Sequence, residues 1–281
     1  MRQWVSSSAM RVVLVITGVL TLALACHDPT DPHVLVGAVP LTAPARFAMW
    51  WRMTQTCSGL TGDYASVQWY YVPNTTTLFY QNREVDAYWI SDPDRIVLAD
   101  ARKNDGMIVR HEMLHALLHR SGHPRDAYLV GCGGVVACDG GCALEAGSYE
   151  SPPEDAPVLQ PRDVSPRVDL FAPLPAEVTT VGAVAAMVTI TNPRSVPVWV
   201  KLTPRESGDF QYPTFGLTAD FDDPTRIAAQ GLAWSQGDRL PLGVGENKRW
   251  VWEATLSPGR YGVLGYFNSD SLPRSVISIG Q

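Results

Sequence analysis

The chain has 281 residues, with 28 Asp and Glu against 22 Lys and Arg, and a formal net charge of −6. That length is enough for two modest domains once a leader is set aside. The mildly acidic balance and the scattered Lys and Arg give no basis for nucleic-acid binding and suit a solvated surface outside the cytoplasm.

Residues 1–25 read as a signal peptide. Arg2 and Arg11 supply positive charge, and residues 12–25 form an apolar run too short for a comfortable membrane span. The run ends Leu22-Ala23-Leu24-Ala25-Cys26, which supports two readings. Ala23 and Ala25 fit a signal-peptidase site of the A-x-A type, which gives a secreted or periplasmic protein. The same residues resemble a bacterial lipobox, although Ala23 stands where Leu is usual. That resemblance is the preferred reading, and it implies a lipidated Cys26 with membrane contact only through this anchor. Residues 26–45, with the polar, Pro-containing run 27–32, then form a tether.

A first globular domain is expected over residues 46–150. Residues 47–56 read as a helix anchored by Trp50, Trp51 and Met53. Residues 67–72, 85–90 and 95–99 are short β-branched and aromatic runs that read as strands. Pro73-Asn74, residues 82–84 and Ser91-Asp92-Pro93 break them.

Residues 107–120 follow as a second helix, with Met107, Ile108, Leu114, Leu117 and Leu118 at helical spacing. Asn104 or Asp105 can cap its start, and Ser121-Gly122-His123-Pro124 supplies a stop near Ser121. Inside this helix lies His111-Glu112-Met113-Leu114-His115, an H-E-x-x-H motif. Imidazoles at i and i+4 share a face, about 6 Å apart along the axis, and can reach one ion. Glu112 sits beside the first and can hold water as a general base. Catalytic zinc needs a third protein ligand and an open position. His119 lies about 12 Å along a straight helix from His111, too far for comfortable sharing. His123 follows the glycine turn and is the preferred third ligand, with Asp126 and Glu145 in reserve.

Residues 111–123 resemble the active-site helix of zincin metallopeptidases, and in part that of the metzincin branch. Leu118 stands where metzincins have glycine, the Gly122-His123 pair comes later, and no Met-turn is evident. The resemblance implies Zn2+ as cofactor and a peptide or protein as substrate. It also implies that the strand before the helix, Ile96-Val97-Leu98-Ala99, is an edge that pairs with extended substrate, a general mode of peptide recognition. Tyr128 could stabilise a developing oxyanion, as a tyrosine does in some zincins, although a packed aromatic after the turn is the favoured reading. The expected function is zinc-dependent peptide hydrolysis. The alternative is a catalytically inactive, surface-anchored binding or structural module.

Cys57, Cys132, Cys138 and Cys142 form an even set, which in an exported chain reads as two disulfides. Cys138 and Cys142 are close enough to bridge locally, leaving Cys57 for Cys132. A second zinc site built from Cys132, Cys138 and Cys142 is the competing reading. Residues 151–175 carry seven prolines and read as a stiff linker. Residues 176–281 turn to short alternating runs, among them 188–191, 198–202, 249–256, 261–267 and 275–279. They predict an antiparallel sandwich. Leu256-Ser257-Pro258-Gly259-Arg260-Tyr261 resembles the tyrosine-corner segment of immunoglobulin-like and fibronectin-like domains. The expected fold class is therefore α+β: a zincin-like domain followed by an all-β, immunoglobulin-like sandwich.

Overall fold

The computed structural model describes residues 37–147, 151–164, 166–172, 182–202, 210–218, 227–235, 238–256, 259–267, 270–271 and 275–279. The expected signal peptide, Cys26, most of the tether, parts of the proline-rich linker and residues 257–258 of the tyrosine-corner segment lie outside them. The chain is α+β.

The first half runs β1 (Val39–Pro40), α1 (Ala45–Ser58), β2 (Gln68–Val72), β3 (Leu78–Tyr80), β4 (Arg83–Val85), β5 (Ala87–Ile90), β6 (Arg95–Ala99), α2 (Gly106–Leu118) and α3 (Gly140–Ala146). Four strands form one sheet in the order β1-β2-β6-β5, with β2 and β6 parallel and the other pairs antiparallel. β3 and β4 form a separate hairpin that turns through Gln81 and Asn82, both with positive φ. The single strand expected over residues 85–90 is thus divided at Asp86 between two sheets.

The expected edge strand needs correction. Ile96, Val97, Leu98 and Ala99 lie in β6, which is paired on both sides. These four side chains are at most 3% exposed, the signature of a central strand rather than an edge. β6 follows β5 through a tight turn, folds back antiparallel to it, and so inserts between β5 and β2. The edge of this sheet beside α2 is β5.

α1 buries Phe47, Met49, Trp50, Trp51, Met53 and Cys57, and ends at Gly59 in the left-handed conformation, whose N–H returns to the Gln55 carbonyl. α2 is buried nearly all round, as its apolar composition requires. Asp105 caps it, its carboxylate accepting from the N–H groups of Met107 and Ile108 at 3.1 and 3.3 Å. Gly106 allows close packing here: a Cβ would stand 2.8 Å from an Arg110 nitrogen and 3.0 Å from the Trp50 ring. The helix ends at Leu118 rather than near Ser121, because His119 itself takes the left-handed position (φ 49°) expected of Gly122. Pro124 does not stop helical structure either. Its carbonyl accepts from Ala127 and Tyr128, opening a π-helical turn over Asp126–Gly131.

Apart from a 3-10 turn at Pro161–Val164, the regular elements described after α3 are strands: β7 (Val158–Leu159), β8 (Arg167–Phe171), β9 (Gly182–Thr191), β10 (Val198–Lys201), β11 (Phe210–Thr218), β12 (Ile227–Ser235), β13 (Arg239–Leu242), β14 (Asn247–Leu256), β15 (Gly259–Phe267), β16 (Asp270–Ser271) and β17 (Ser275–Ile279). Two three-stranded sheets, β13-β10-β7 and β14-β9-β8, share one apolar layer that includes Ala186, Val188 and Ile190 of β9 and Val198 and Val200 of β10. β7 and β8 lie within residues 151–175, expected as a linker, and β7 pairs parallel with β10, whereas the described pairs among β9–β17 are antiparallel as expected. β11, β12, β15, β16 and β17 form a further sheet.

The two halves share a core. Phe171, Ala185 and Met187 lie in the same apolar cluster as Phe47, Trp50, Met113 and Leu114. A polar link reinforces it. Arg110 of α2 is 2% exposed; its Nε donates to the Val135 carbonyl at 2.7 Å and its Nη1 to Glu253 Oε1 of β14 at 2.7 Å. Trp50 Nε1 donates to the other oxygen of Glu253 at 2.9 Å, and its ring lies 5.6 Å from the guanidinium carbon. A buried guanidinium that loses its counter-charge is costly. Because the Glu253 side chain is 33% exposed, water offsets part of that cost. Glu253→Ala is expected to lower unfolding stability by about 2 kcal/mol in a denaturant titration. Unchanged stability would mean that Arg110 does not depend on this carboxylate.

Candidate functional site

α2 delivers His111, Glu112 and His115 to one face, and the turn after His119 brings His123 back to meet them. His111 Nε2 lies 3.2 Å from His115 Nε2 and 3.3 Å from His123 Nε2. Ligand atoms of the three residues all lie within 4.8 Å of one another, and no other such cluster occurs among the described residues. Of the reserve ligands, Asp126 lies in the π-helical turn outside the cluster, and Glu145 plays a different part.

Each outer ring nitrogen has an acceptor. His111 Nδ1 bonds to the Ala137 carbonyl at 2.7 Å, His115 Nδ1 to the Arg120 carbonyl at 2.9 Å, and His123 Nδ1 to Glu145 Oε2 at 2.9 Å. Carbonyls and carboxylates only accept, so all three Nδ1 atoms carry a proton, and the Nε2 atom of each ring that is neutral presents its lone pair inward. Lone pairs facing each other at this range repel unless something positive sits between them. Two nitrogens bound at 2.0–2.1 Å to one tetrahedral ion stand about 3.3 Å apart. The residues therefore fit a divalent cation. Burial also depresses the imidazole pKa values, His111 to about 4 and His115 to about 3, which keeps both neutral and ligand-competent at neutral pH.

Glu112 is 4% exposed. Its carboxylate accepts from the backbone N–H of Trp89 on β5, while Oε2 has no partner among the described residues. Burial pushes its pKa up to about 8, only partly countered by the Trp89 N–H. The cluster opens into a cleft of about 620 Å³, whose walls include Glu112, Tyr88 and Trp89 of β5, Tyr80 of the β3–β4 hairpin, and Gly141 and Leu144 of α3.

Tyr128 is fully buried and absent from the cleft wall. Its ring centroid lies 5.0, 5.3 and 4.9 Å from those of His111, His115 and His123, which places it near the axis normal to the plane through the three centroids. It thus floors the cluster on the closed side. Its hydroxyl is buried and has no hydrogen-bond partner among the described residues, so both the oxyanion reading and the packed-aromatic reading stand. His119 points elsewhere: its side chain is 70% exposed and its Nδ1 lies 3.6 Å from Asp94.

The cysteines pair Cys57–Cys132 and Cys138–Cys142, which removes them as a second metal site. The first ties α1 to the segment after the π-helical turn, and the second closes the loop leading into α3. Sequence reasoning did not find Ala137 or Arg120 as acceptors, since a backbone carbonyl leaves no residue-type signal. Glu145 could be found as a carboxylate within reach, but its role as the partner of His123 emerges only in three dimensions.

No family model matches the chain, and no curated protein does. Solved structures with partial likeness include a β-glucosidase of Listeria innocua (14% identity, TM-score 0.23, 42% of this chain and 16% of that one). A DNA-bound alkylpurine DNA glycosylase of Pseudomonas fluorescens (13%, TM-score 0.22, 41% and 30%) and a β-glucosidase of Kluyveromyces marxianus (12%, TM-score 0.23, 42% and 14%) are similar to the same low degree. Likenesses this weak carry no argument about the site.

The Glu112 environment has a measurable consequence in metal-free protein. Folded Glu112 holds a proton up to about pH 8, whereas an unfolded glutamate releases it near 4.5. Its stabilising contribution is complete below 4.5 and is lost as pH rises through 8. The low pKa values of His111 and His115 act below about 6.5, where the unfolded state takes up the protons. Between about pH 6.5 and 8 the Glu112 effect stands alone. The denaturation midpoint of metal-free protein should fall across that interval, and Glu112→Gln should flatten the slope.

Proposed function

We propose that this chain is an extracytoplasmic zinc-dependent metallopeptidase of zincin type, with His111, His115 and His123 as zinc ligands and Glu112 as general base. The observation that carries the reading is the convergence of three Nε2 atoms on rings whose outer nitrogens are all engaged. Three histidines with an open side are a catalytic rather than a closed structural set. A cation held there supplies Lewis acidity, polarising a carbonyl and acidifying water.

This chain's own residues supply the rest. The cleft admits an extended peptide along β5, the unpaired edge beside Glu112. With a cation bound beside it Glu112 would be ionised, and its unpartnered Oε2 would take a proton from the attacking water and return it to the leaving amine. The Trp89 N–H holds the other oxygen, so the carboxylate keeps one orientation through both transfers. Tyr128 closes the back of the cluster to water.

Two disulfides accord with an oxidising compartment, and with a leader that ends in a lipidated Cys26 or in secretion. The two facing sheets of the C-terminal half support the immunoglobulin-like sandwich reading.

Metal analysis paired with hydrolysis of a mixed peptide library tests the proposal. Wild-type protein should take up one zinc per chain and cleave peptides. Glu112→Gln should keep the zinc and lose at least about 100-fold in kcat, the contribution typical of a general base. Stoichiometric zinc without cleavage of any peptide would identify a binding or structural module instead.

A further inference from the structure

Two of the three outer acceptors come from one short segment. Ala137, whose carbonyl receives His111 Nδ1, adjoins Cys138; Glu145, which receives His123 Nδ1, lies one turn past Cys142. The Cys138–Cys142 disulfide closes the chain between them, with the two Cα atoms 5.0 Å apart. At its start Ala137 is also tied to α2, its N–H donating to the Met107 carbonyl at 3.1 Å; beyond Cys138 fewer contacts fix the stretch. α3 begins with two glycines, has no side-chain cap, and spans only 7 residues, too short to hold by its own propensity. Its other ties are the burial of Cys142 and Ala146, a bond from Arg125 to the Ala146 carbonyl at 3.3 Å, and the His123 backbone N–H, which donates to Glu145 Oε2 at 3.0 Å. His115 provides an internal comparison, since its acceptor, the Arg120 carbonyl, belongs to the end of α2 itself.

We propose that the Cys138–Cys142 disulfide is a positioning element: it fixes the Ala137 carbonyl and the Glu145 carboxylate, and through them the tautomer and aim of His111 and His123. The proposal rests on the metal reading above for its effect on affinity, but not for its effect on the rings. Disruption of the staple should release His111 and His123 while His115 stays in place.

The experiment compares wild-type protein with Cys138→Ser/Cys142→Ser, leaving Cys57–Cys132 intact. In metal-free protein at neutral pH, long-range proton–nitrogen NMR should report Nδ1–H tautomers for all three histidines of the wild type. In the double variant, His111 and His123 should become tautomer mixtures and His115 should not. Zinc affinity, measured by competition with a chelator, should fall about 10–100-fold, the usual effect of losing outer-shell partners. Unchanged tautomers and affinity overturn the proposal, even if the unfolding temperature drops, because that result describes a merely stabilising crosslink. Should the double variant fail to fold, Glu145→Ala decides the point at His123, whose tautomer preference should vanish. Glu145→Gln, which keeps an acceptor oxygen, should restore it in part; an unaltered His123 in Glu145→Ala counts against the proposal. If wild-type protein binds no zinc, the metallopeptidase reading fails and the tautomers alone decide the role of the disulfide.

Discussion

The arrangement of the site depends on one constraint: each imidazole is held by its outer N–H. An imidazole on a helix turns about two side-chain bonds, and nothing in α2 alone makes two of them face each other. The carbonyls of Ala137 and Arg120 and the Glu145 carboxylate remove that freedom. They come from a loop, a helix cap and a short helix, so the cluster reports the correct assembly of three separate pieces of backbone. Burial adds to this by favouring the neutral rings of His111 and His115, so no proton competes for their inward nitrogens at neutral pH.

The surroundings divide the labour by side. Behind the rings, Tyr128 gives a dry aromatic floor; in front, the cleft exposes Glu112 and the β5 backbone. Glu112 is neighbour to both, with one oxygen held by Trp89 and the other unpartnered. An unsatisfied buried carboxylate oxygen costs stability. Its occurrence next to three convergent imidazole nitrogens is what makes the reading of a working site more economical than that of a packed core.

Much of this was legible in the residues themselves. Helical spacing placed His111 and His115 on one face, a glycine-containing turn pointed to His123, and an even cysteine count with two near neighbours led to the observed pairing. β-branched and aromatic runs marked β2, β5 and β6. What the pattern could not tell was the lateral order of strands: the run 96–99 is apolar because it is central, and the same run would serve equally well in a covered edge. The end of α2 was misjudged because His119, a residue that seldom adopts positive φ, takes the position that glycine usually fills. The shared core was hidden too, because a proline-rich stretch looks like a linker whether or not the strands beyond it pack back.

That return packing bears on how the chain is made. Arg110 stands next to the first imidazole of α2, and its counter-charge, Glu253, is synthesised 143 residues later. Until β14 has packed against it, the helix bearing the imidazoles has a guanidinium to bury and no anion to bury it with. Consolidation of α2 therefore waits for β14, so the imidazole cluster matures only when the strands of the C-terminal half have packed back.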